Sequence, residues 1–361
     1  MVDMTRIDPE TLDMDKVNEF VGRFVGDLGA AMHATTVVIG ERLGLWAALA
    51  EHGPQTAEQL AKRTRCDARY VGEWLNAQAA SQYAHYDPQN GTYYLSPEQA
   101  FCLAQPTSPA YLPGGMQIAV SVAKDAEVIE EAFSTGKGVS WGDHHEWLFS
   151  GTEKFFRAGY VANLVDSWLP SLDGVVEKLR TGARVADVGC GHGASTILMG
   201  KAFPHSSFIG YDSHLPSIDI ANKQAAASGV ASHVNFEVAS ATDFAGENYD
   251  LIAMFDCLHD MADPDAAAAY IRRALAPEGT LLLVEPYAND AYEDNHNPIG
   301  RVFYSASTMI CTPSGRWPNG GAALGAQAGE AILSRVLGEA GFSRVRRATE
   351  TPFNLVLEAR P

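Results

Sequence analysis

Between Arg184 and Thr196 the chain reads R-V-A-D-V-G-C-G-H-G-A-S-T. A short apolar run ends in Asp187, then Gly189, Gly191 and Gly193 follow at every second position before a helical pattern begins. Glycine lets a backbone turn tightly and come close to a ligand, and the start of a helix offers N–H groups without intrahelical partners. This is the chemistry of a loop that cradles a nucleotide-type cofactor. Asp187, two residues before the first glycine, points to a cationic ligand such as the amino group of S-adenosylmethionine rather than to pyrophosphate. The same residues carry a rival reading. Gly189, Gly191 and Ala194 satisfy G-x-G-x-x-A, and Asp212 lies about 20 residues further on, where an NAD fold places its ribose-binding acid.

The elements around the loop separate the two. From about Arg180 strands and helices alternate. Strands are expected at Val185–Val188, Ser207–Tyr211, Val234–Val238, Leu251–Phe255 and Thr280–Val284. Helices are expected at Ser195–Phe203, Ile218–Ala227 and Ala266–Ala274. The pattern predicts an α/β fold with a Rossmann-like, doubly wound parallel sheet, whose ligands sit at the carboxyl ends of the strands. After a helix at Ala331–Ala340 capped by Gly341, two more strands, Arg344–Thr349 and Asn354–Ala359, flank T-P-F. A terminal strand pair, inserted antiparallel, finishes a methyltransferase sheet, whereas a plain dinucleotide fold does not end so.

Upstream, residues Asp15–Glu51 read as helices with a broad apolar stripe, Thr56 and Asp67 look like caps of two further helices, and D-P-Q-N-G separates two short strand-like runs. Helix, helix, helix, hairpin is the order of a winged-helix module. Met1–Ala110 carries eight Lys/Arg against fourteen Asp/Glu, so a DNA-binding role is disfavoured and a dimerising or capping role preferred. The expected division is 1–110 for this module, 111–172 for a helical connector contributing to the pocket, and 173–361 for the cofactor domain. The connector is rich in aromatics (Trp141, Trp147, Phe149, Phe155, Phe156, Tyr160, Trp168), of which a minority, Tyr160 among them, is expected to line a pocket and the rest to be core. Adjacent His144 and His145 lack a third ligand at metal spacing, so no metal is assigned.

A net charge of −18 argues against nucleic acid as a partner. No apolar run reaches membrane-spanning length, and the acidic Met1–Glu19 lacks the pattern of a secretory leader. Five widely spaced cysteines suggest reduced thiols in a cytoplasmic protein rather than a disulfide framework.

Two further segments carry a resemblance. F-D-C-L-H-D-M-A-D-P (Phe255–Pro264), followed by A-P-E-G-T-L-L-L-V-E (Ala276–Glu285), resembles the "LHDWSD … GG … E" region of winged-helix O-methyltransferases of plant and bacterial natural-product pathways. The glycine loop, Asp212 and the N-terminal module agree with that family in order. The tail E-T-P-F-N-L-V-L-E-A-R and the middle N-P-I-G-R-V-F-Y-S-A-S-T are similar to actinobacterial members. The resemblance implies S-adenosylmethionine as cofactor, held at its methionine end by Gly189, Gly191 and Gly193 with Asp187 nearby, and bordered there by Phe255 and Asp256. Asp212 would bind the ribose hydroxyls. Ser240, Ala241, Thr242 and Asp243 would meet the adenine, with the contact falling to Asp243 or to backbone groups. His259 falls on the family's general base and Glu285 on an acid flanking it. A near-neutral imidazole suits removal of a hydroxyl proton. The alternative makes His259 a helix-start residue with Asp260 as cap. Asn295–Cys311 is a substrate-site candidate, with Arg301 and Tyr304 as polar contacts and Phe303 and Met309 as walls.

These features predict an S-adenosylmethionine-dependent methyltransferase acting on a small, aromatic or hydroxylated acceptor at oxygen, as a homodimer through its N-terminal domain. A cofactor-sensing transcriptional regulator and an NAD-dependent oxidoreductase are the alternatives.

Overall fold

A computed structural model describes residues 11–361, so the first part of the acidic Met1–Glu19 stretch lies outside the described residues. The chain forms two compact units, one ending at Pro106 and one running from Thr107 to Pro361. In the first, helices α1 (Met14–Arg42), α2 (Leu45–His52), α3 (Ala57–Thr64) and α4 (Ala68–Ala80) precede a hairpin of β1 (His85–Asp87) and β2 (Thr92–Tyr94), and α5 (Pro97–Leu103) follows. The caps are where the residue types place them. Thr56 and Gln59 form a reciprocal capping box on α3, and Asp67 accepts from the N–H groups of Arg69 and Tyr70 at the start of α4. Trp46, Trp74, Leu49, Leu60 and Leu75 fill this unit's core.

The second unit opens with α6 (Pro113–Lys124), α7 (Ala126–Thr135), α8 (Trp147–Asn163) and α9 (Val175–Thr181). Then β3 (Arg184–Val188), α10 (Ala194–Ala202), β4 (Ser207–Asp212), α11 (Leu215–Ala227), β5 (Val234–Val238), β6 (Tyr249–Phe255), α12 (Pro264–Ala274) and β7 (Leu275–Pro286) alternate. Helices α13 (Pro298–Ala306), α14 (Thr312–Arg316) and α15 (Gly329–Glu339) lead to β8 (Arg344–Glu350) and β9 (Asn354–Arg360). The seven strands order as β5-β4-β3-β6-β7-β9-β8. Strands β3 to β7 pair in parallel, while β9 runs antiparallel to both β7 and β8. Strand β7 begins at Leu275 and takes in the expected A-P-E-G turn, because Leu275 already pairs with Tyr249 across a register shift.

Successive strand side chains point to opposite faces, so each central strand feeds two cores. Leu251, Ala253 and Phe255 pack with Trp168, Leu169 and Ile197 on one face. Ile252 and Met254 pack with Ile271, Leu333 and Val336 on the other. A strand covered on both sides must be apolar at nearly every position, which is why β6 reads as a continuous apolar run rather than as an alternation. The order of strands reverses between β3 and β6, the switch point at which their carboxyl ends leave a crevice.

Candidate functional site

A cavity of about 780 Å³ opens at the carboxyl ends of β3, β4 and β6. That is within the range, roughly 300 to 1,000 Å³, of sites that enclose small molecules. Gly189, Gly191, Asp212, Ala241, Thr242, Phe255, Asp256 and Tyr160 all lie on its wall. Chain positions almost a hundred residues apart meet there because they end adjacent strands or sit on α8.

The glycine loop is held from behind. Gly191 has a left-handed backbone (φ +52°), and open space lies where its Cβ would stand, so a ligand can approach the chain itself. Gly193 (φ +79°) is not on the wall. A side chain there would run into the Phe236 ring and Ala221. Asp187 is fully buried and also off the wall; its Oδ2 accepts hydrogen bonds from Ser195 Oγ and Thr196 Oγ1, both at 2.6 Å. The acid therefore ties the first turn of α10 to the end of β3. Burial outweighs these two bonds and pushes its carboxyl up to about 6. Asp212 Oδ2 accepts from the Gly191 N–H at 2.9 Å and Oδ1 from the His214 N–H at 2.8 Å. A carboxylate oxygen has capacity for more than one donor, so hydroxyl groups in the cavity can still be bound. Ser240 joins Ala241 and Thr242 on the wall, whereas Asp243 is exposed and stands off it.

His259 sits in a short 3-10 turn after β6, buried and behind the wall. Its Nδ1 bonds a Glu285 carboxylate oxygen, and its Nε2 lies 3.1 Å from Asp260 Oδ1. Glu285 also accepts the Leu258 N–H at 2.9 Å. Burial disfavours the imidazolium, but the carboxylates of Asp260 and Glu285 overcome it and hold His259 well above the usual histidine range. The helix-cap alternative does not hold, because α12 is capped by Asp263, whose Oδ1 accepts the Ala266 N–H at 2.8 Å. Asp260 is the cluster's member on the cavity wall. Cys311 brings a thiol close by, so that its sulfur, an imidazole nitrogen and an Asp260 oxygen lie within 4.8 Å of one another. Such a spacing could take a metal ion, though the carboxylates already engage the imidazole, and burial lifts the Cys311 thiol to about 12.

Another part of the wall is aromatic. Trp141, Phe149 and Phe156 line the cavity with Tyr160, whereas Trp168 is core and Trp147 and Phe155 stand off the wall. Trp317 and Pro318, which no motif marked, close another part of it. Arg301, Tyr304 and Met309 do not reach the wall. Phe303 and Met309 pack with Leu148 and Ile310 in a separate apolar cluster, Tyr304 lies against Tyr292, and Arg301 is exposed. Helix α13 has one apolar side, and it is spent on this packing rather than on the cavity.

Comparison with known proteins agrees with this geometry. Residues 31–105 match the Rv2258c-like winged HTH domain, and residues 186–281 match a methyltransferase domain. A ubiquinone biosynthesis O-methyltransferase of Cereibacter sphaeroides is 31% identical over 101 residues, 28% of this chain and 40% of that protein. An uncharacterized Synechococcus protein is 34% identical over 101 residues, 27% of this chain and 24% of that protein. The match thus spans less than half the length of these curated relatives. Among solved structures, mitomycin 7-O-methyltransferase superposes with a TM-score of 0.67 at 18% identity, covering 96% of this chain and 100% of that one. Human N-acetylserotonin methyltransferase, solved with S-adenosylmethionine, gives 0.68 at 17% identity, with 94% and 97% covered. An O-methyltransferase from neocarzinostatin biosynthesis, solved with S-adenosylhomocysteine and 1,4-dihydroxy-2-naphthoic acid, gives 0.59 at 18%, with 94% and 98% covered. The fold is that of the class I methyltransferases with an N-terminal winged helix.

Proposed function

We propose that this chain, a winged-helix domain joined to a class I methyltransferase domain, transfers the methyl group of S-adenosylmethionine to an oxygen of a small, aromatic or hydroxylated acceptor. The observation that carries the reading is a single cavity with the open glycine loop and Asp212 in one part of its wall and an aromatic surface with Asp260 in another. Bound there, the cofactor supplies an electrophilic sulfonium methyl. Gly189 and Gly191 would hold its methionine end, Asp212 its ribose, and Ser240 to Thr242 its adenine. The aromatic residues exclude water and orient a flat acceptor, and orientation alone supplies a large part of such a rate. The dihydroxynaphthoic acid bound by one structural neighbour supports an aromatic oxygen acceptor.

The general-base role of His259 takes a specific form in this arrangement. An imidazole held between two carboxylates keeps its proton, so the oxygen offered to an acceptor hydroxyl is that of Asp260. Asp260 accepts the proton at the wall, His259 positions Asp260, and Glu285 fixes the ring. Asp260→Asn is expected to lower kcat at least a hundredfold with S-adenosylhomocysteine affinity unchanged. Full activity in Asp260→Asn together with inactivity in His259→Gln would return the base to His259 itself.

Helix α1 supports a homodimer. It exposes Phe20, Val21, Phe24, Val25, Leu28 and Met32 along one stripe, Met32 at 70%, more apolar surface than an isolated helix leaves in water without a partner. Phe24→Asp is expected to halve the mass seen by light scattering. Free thiols at all five cysteines fit a cytoplasmic location. Calorimetric titration with S-adenosylhomocysteine, and with NADH as control, tests the cofactor. Micromolar binding of the first alone supports the reading, and binding of NADH instead overturns it.

A further inference from the structure

Glu285, His259, Asp260 and Cys311 form one cluster at the edge of the cavity. Glu285 engages Nδ1 of His259, and the Leu258 N–H, at 2.9 Å, fixes the carboxylate in turn. The ring therefore turns Nε2 away from Glu285, to 3.1 Å from Asp260 Oδ1. Cys311 arrives from a different element, the π-helical turn Ser307–Cys311 that runs into α14, and such turns are frequent at functional sites. Its sulfur, an imidazole nitrogen and an Asp260 oxygen lie within 4.8 Å of one another, and among the described residues no other three ligating side chains converge so closely. His259 and Cys311 are buried, while Asp260 reaches the cavity wall.

We propose that His259, Asp260 and Cys311 are the ligands of a thiophilic divalent cation of the zinc class, with Glu285 supporting the histidine. A metal-ligating histidine usually gives its other ring nitrogen to a carboxylate, which fixes the tautomer and aims the free nitrogen, and Glu285 on Nδ1 does this for Nε2. One imidazole nitrogen, one carboxylate oxygen and one sulfur select zinc or cobalt over magnesium and calcium, which take oxygen ligands. With bonds of about 2.0 to 2.3 Å, the ligand atoms of a tetrahedral zinc stand about 3.2 to 3.8 Å apart. The His259–Asp260 separation is already close to that, and the thiol needs only a short approach. Charge balances as well. In the empty cluster Nε2 keeps its proton toward Asp260 and Cys311 is a thiol. A divalent cation takes the place of those two protons, because a coordinating thiol ionises, and the net charge of the buried cluster is unchanged. Asp260 gives the ion its way in from the cavity, and three protein ligands leave a fourth position open.

The site shares Asp260 with the proposed proton transfer but rests on these four side chains and not on that reading. Metal-stripped wild type, Cys311→Ala and Asp260→Asn are titrated calorimetrically with zinc, and with magnesium as control, in two buffers of different ionisation enthalpy. Each is also titrated with cobalt, followed by absorption, and melting temperatures confirm that the variants are folded. Wild type is expected to bind one zinc with micromolar or tighter affinity, to release two protons as it does so, and to ignore magnesium. Cobalt is expected to develop a thiolate-to-metal charge-transfer band. Cys311→Ala should lose that band, bind zinc at least tenfold more weakly and release one proton fewer. Asp260→Asn should keep the band and also bind zinc at least tenfold more weakly. A wild type that takes no zinc, a cobalt spectrum without the thiolate band, or equal zinc affinity in wild type and Cys311→Ala overturns the proposal. Zinc held through Cys311 by a chain that binds no S-adenosylhomocysteine keeps the metal site and removes the methyltransferase reading. S-adenosylhomocysteine bound by a chain that takes no zinc does the reverse.

Discussion

Asp187 and His259 lie at the ends of adjacent parallel strands, both buried, and their partners are of opposite kinds, although one oxygen of Asp187, Oδ1, has none. Asp187 is met by two neutral hydroxyls from eight and nine residues further along the chain, across one turn of loop and helix. His259 is met by charge, with Glu285 brought over by the neighbouring strand 26 residues away and Asp260 beside it. A neutral, local arrangement loses little when one donor is removed. A charged, non-local one leaves an uncompensated ion inside the protein when either partner goes.

The sharpest test of that difference is Glu285→Ala. Removing one side of a buried pair is expected to cost about 4 kcal/mol, read as a shift in the denaturation midpoint. A loss below about 1 kcal/mol would mean that Asp260 alone satisfies the imidazole. Next comes pH. Because the folded protein holds the Asp187 proton up to about 6, above the ordinary carboxylate value, it keeps this proton where the unfolded chain has released it. The contribution to stability is complete below about pH 4 and is lost as pH rises through about 6, by about 3 kcal/mol. Asp212 and Asp256 move in the same direction, so the quantity to measure is the difference between wild type and Asp187→Asn in ligand-free protein. The variant is expected to lose less stability between pH 4 and 7 than the wild type, and identical slopes would show that Asp187 is ionised without cost. The smallest effect belongs to Ser195→Ala, about 1.5 kcal/mol, because Thr196 still donates to the same oxygen. A cost as large as that of Glu285→Ala would erase the distinction between the two regions.

The comparison also explains what could be read from the chain. The glycine loop is a local object whose spacing and turn chemistry are visible in thirteen consecutive residues, and Asp212 follows at a distance set by one helix and one strand. The antiparallel strand pair was legible for the same reason, since two short strand-like segments, Arg344–Thr349 and Asn354–Ala359, flank the T-P-F turn. Sequence also marked His259 and Glu285 together, through the resemblance. It did not show that Asp187 faces Ser195 and Thr196 rather than the cavity, because the residue's burial depends on how α10 packs on the sheet. Nor did it place Arg301, Tyr304 and Met309. An apolar stripe at helical spacing says that a helix buries one side, without naming the surface that receives it. For α13 that surface is Leu148 and Ile310.

Local chemistry, then, was determined by the chain itself: an α/β sheet with its cofactor loop, the capped helices and hairpin of the first unit, and an acidic balance that disfavours nucleic acid. Backbone preferences and periodicity act over a few residues and need no fold to express them. What only the tertiary structure decided is which charges face one another. Asp260 came to the wall with His259 behind it, and Asn354 reached Asp256 across 98 residues, leaving one carboxylate oxygen without a partner. Strand order brings such groups together, and a buried charge answers to its spatial neighbours whatever their distance along the chain.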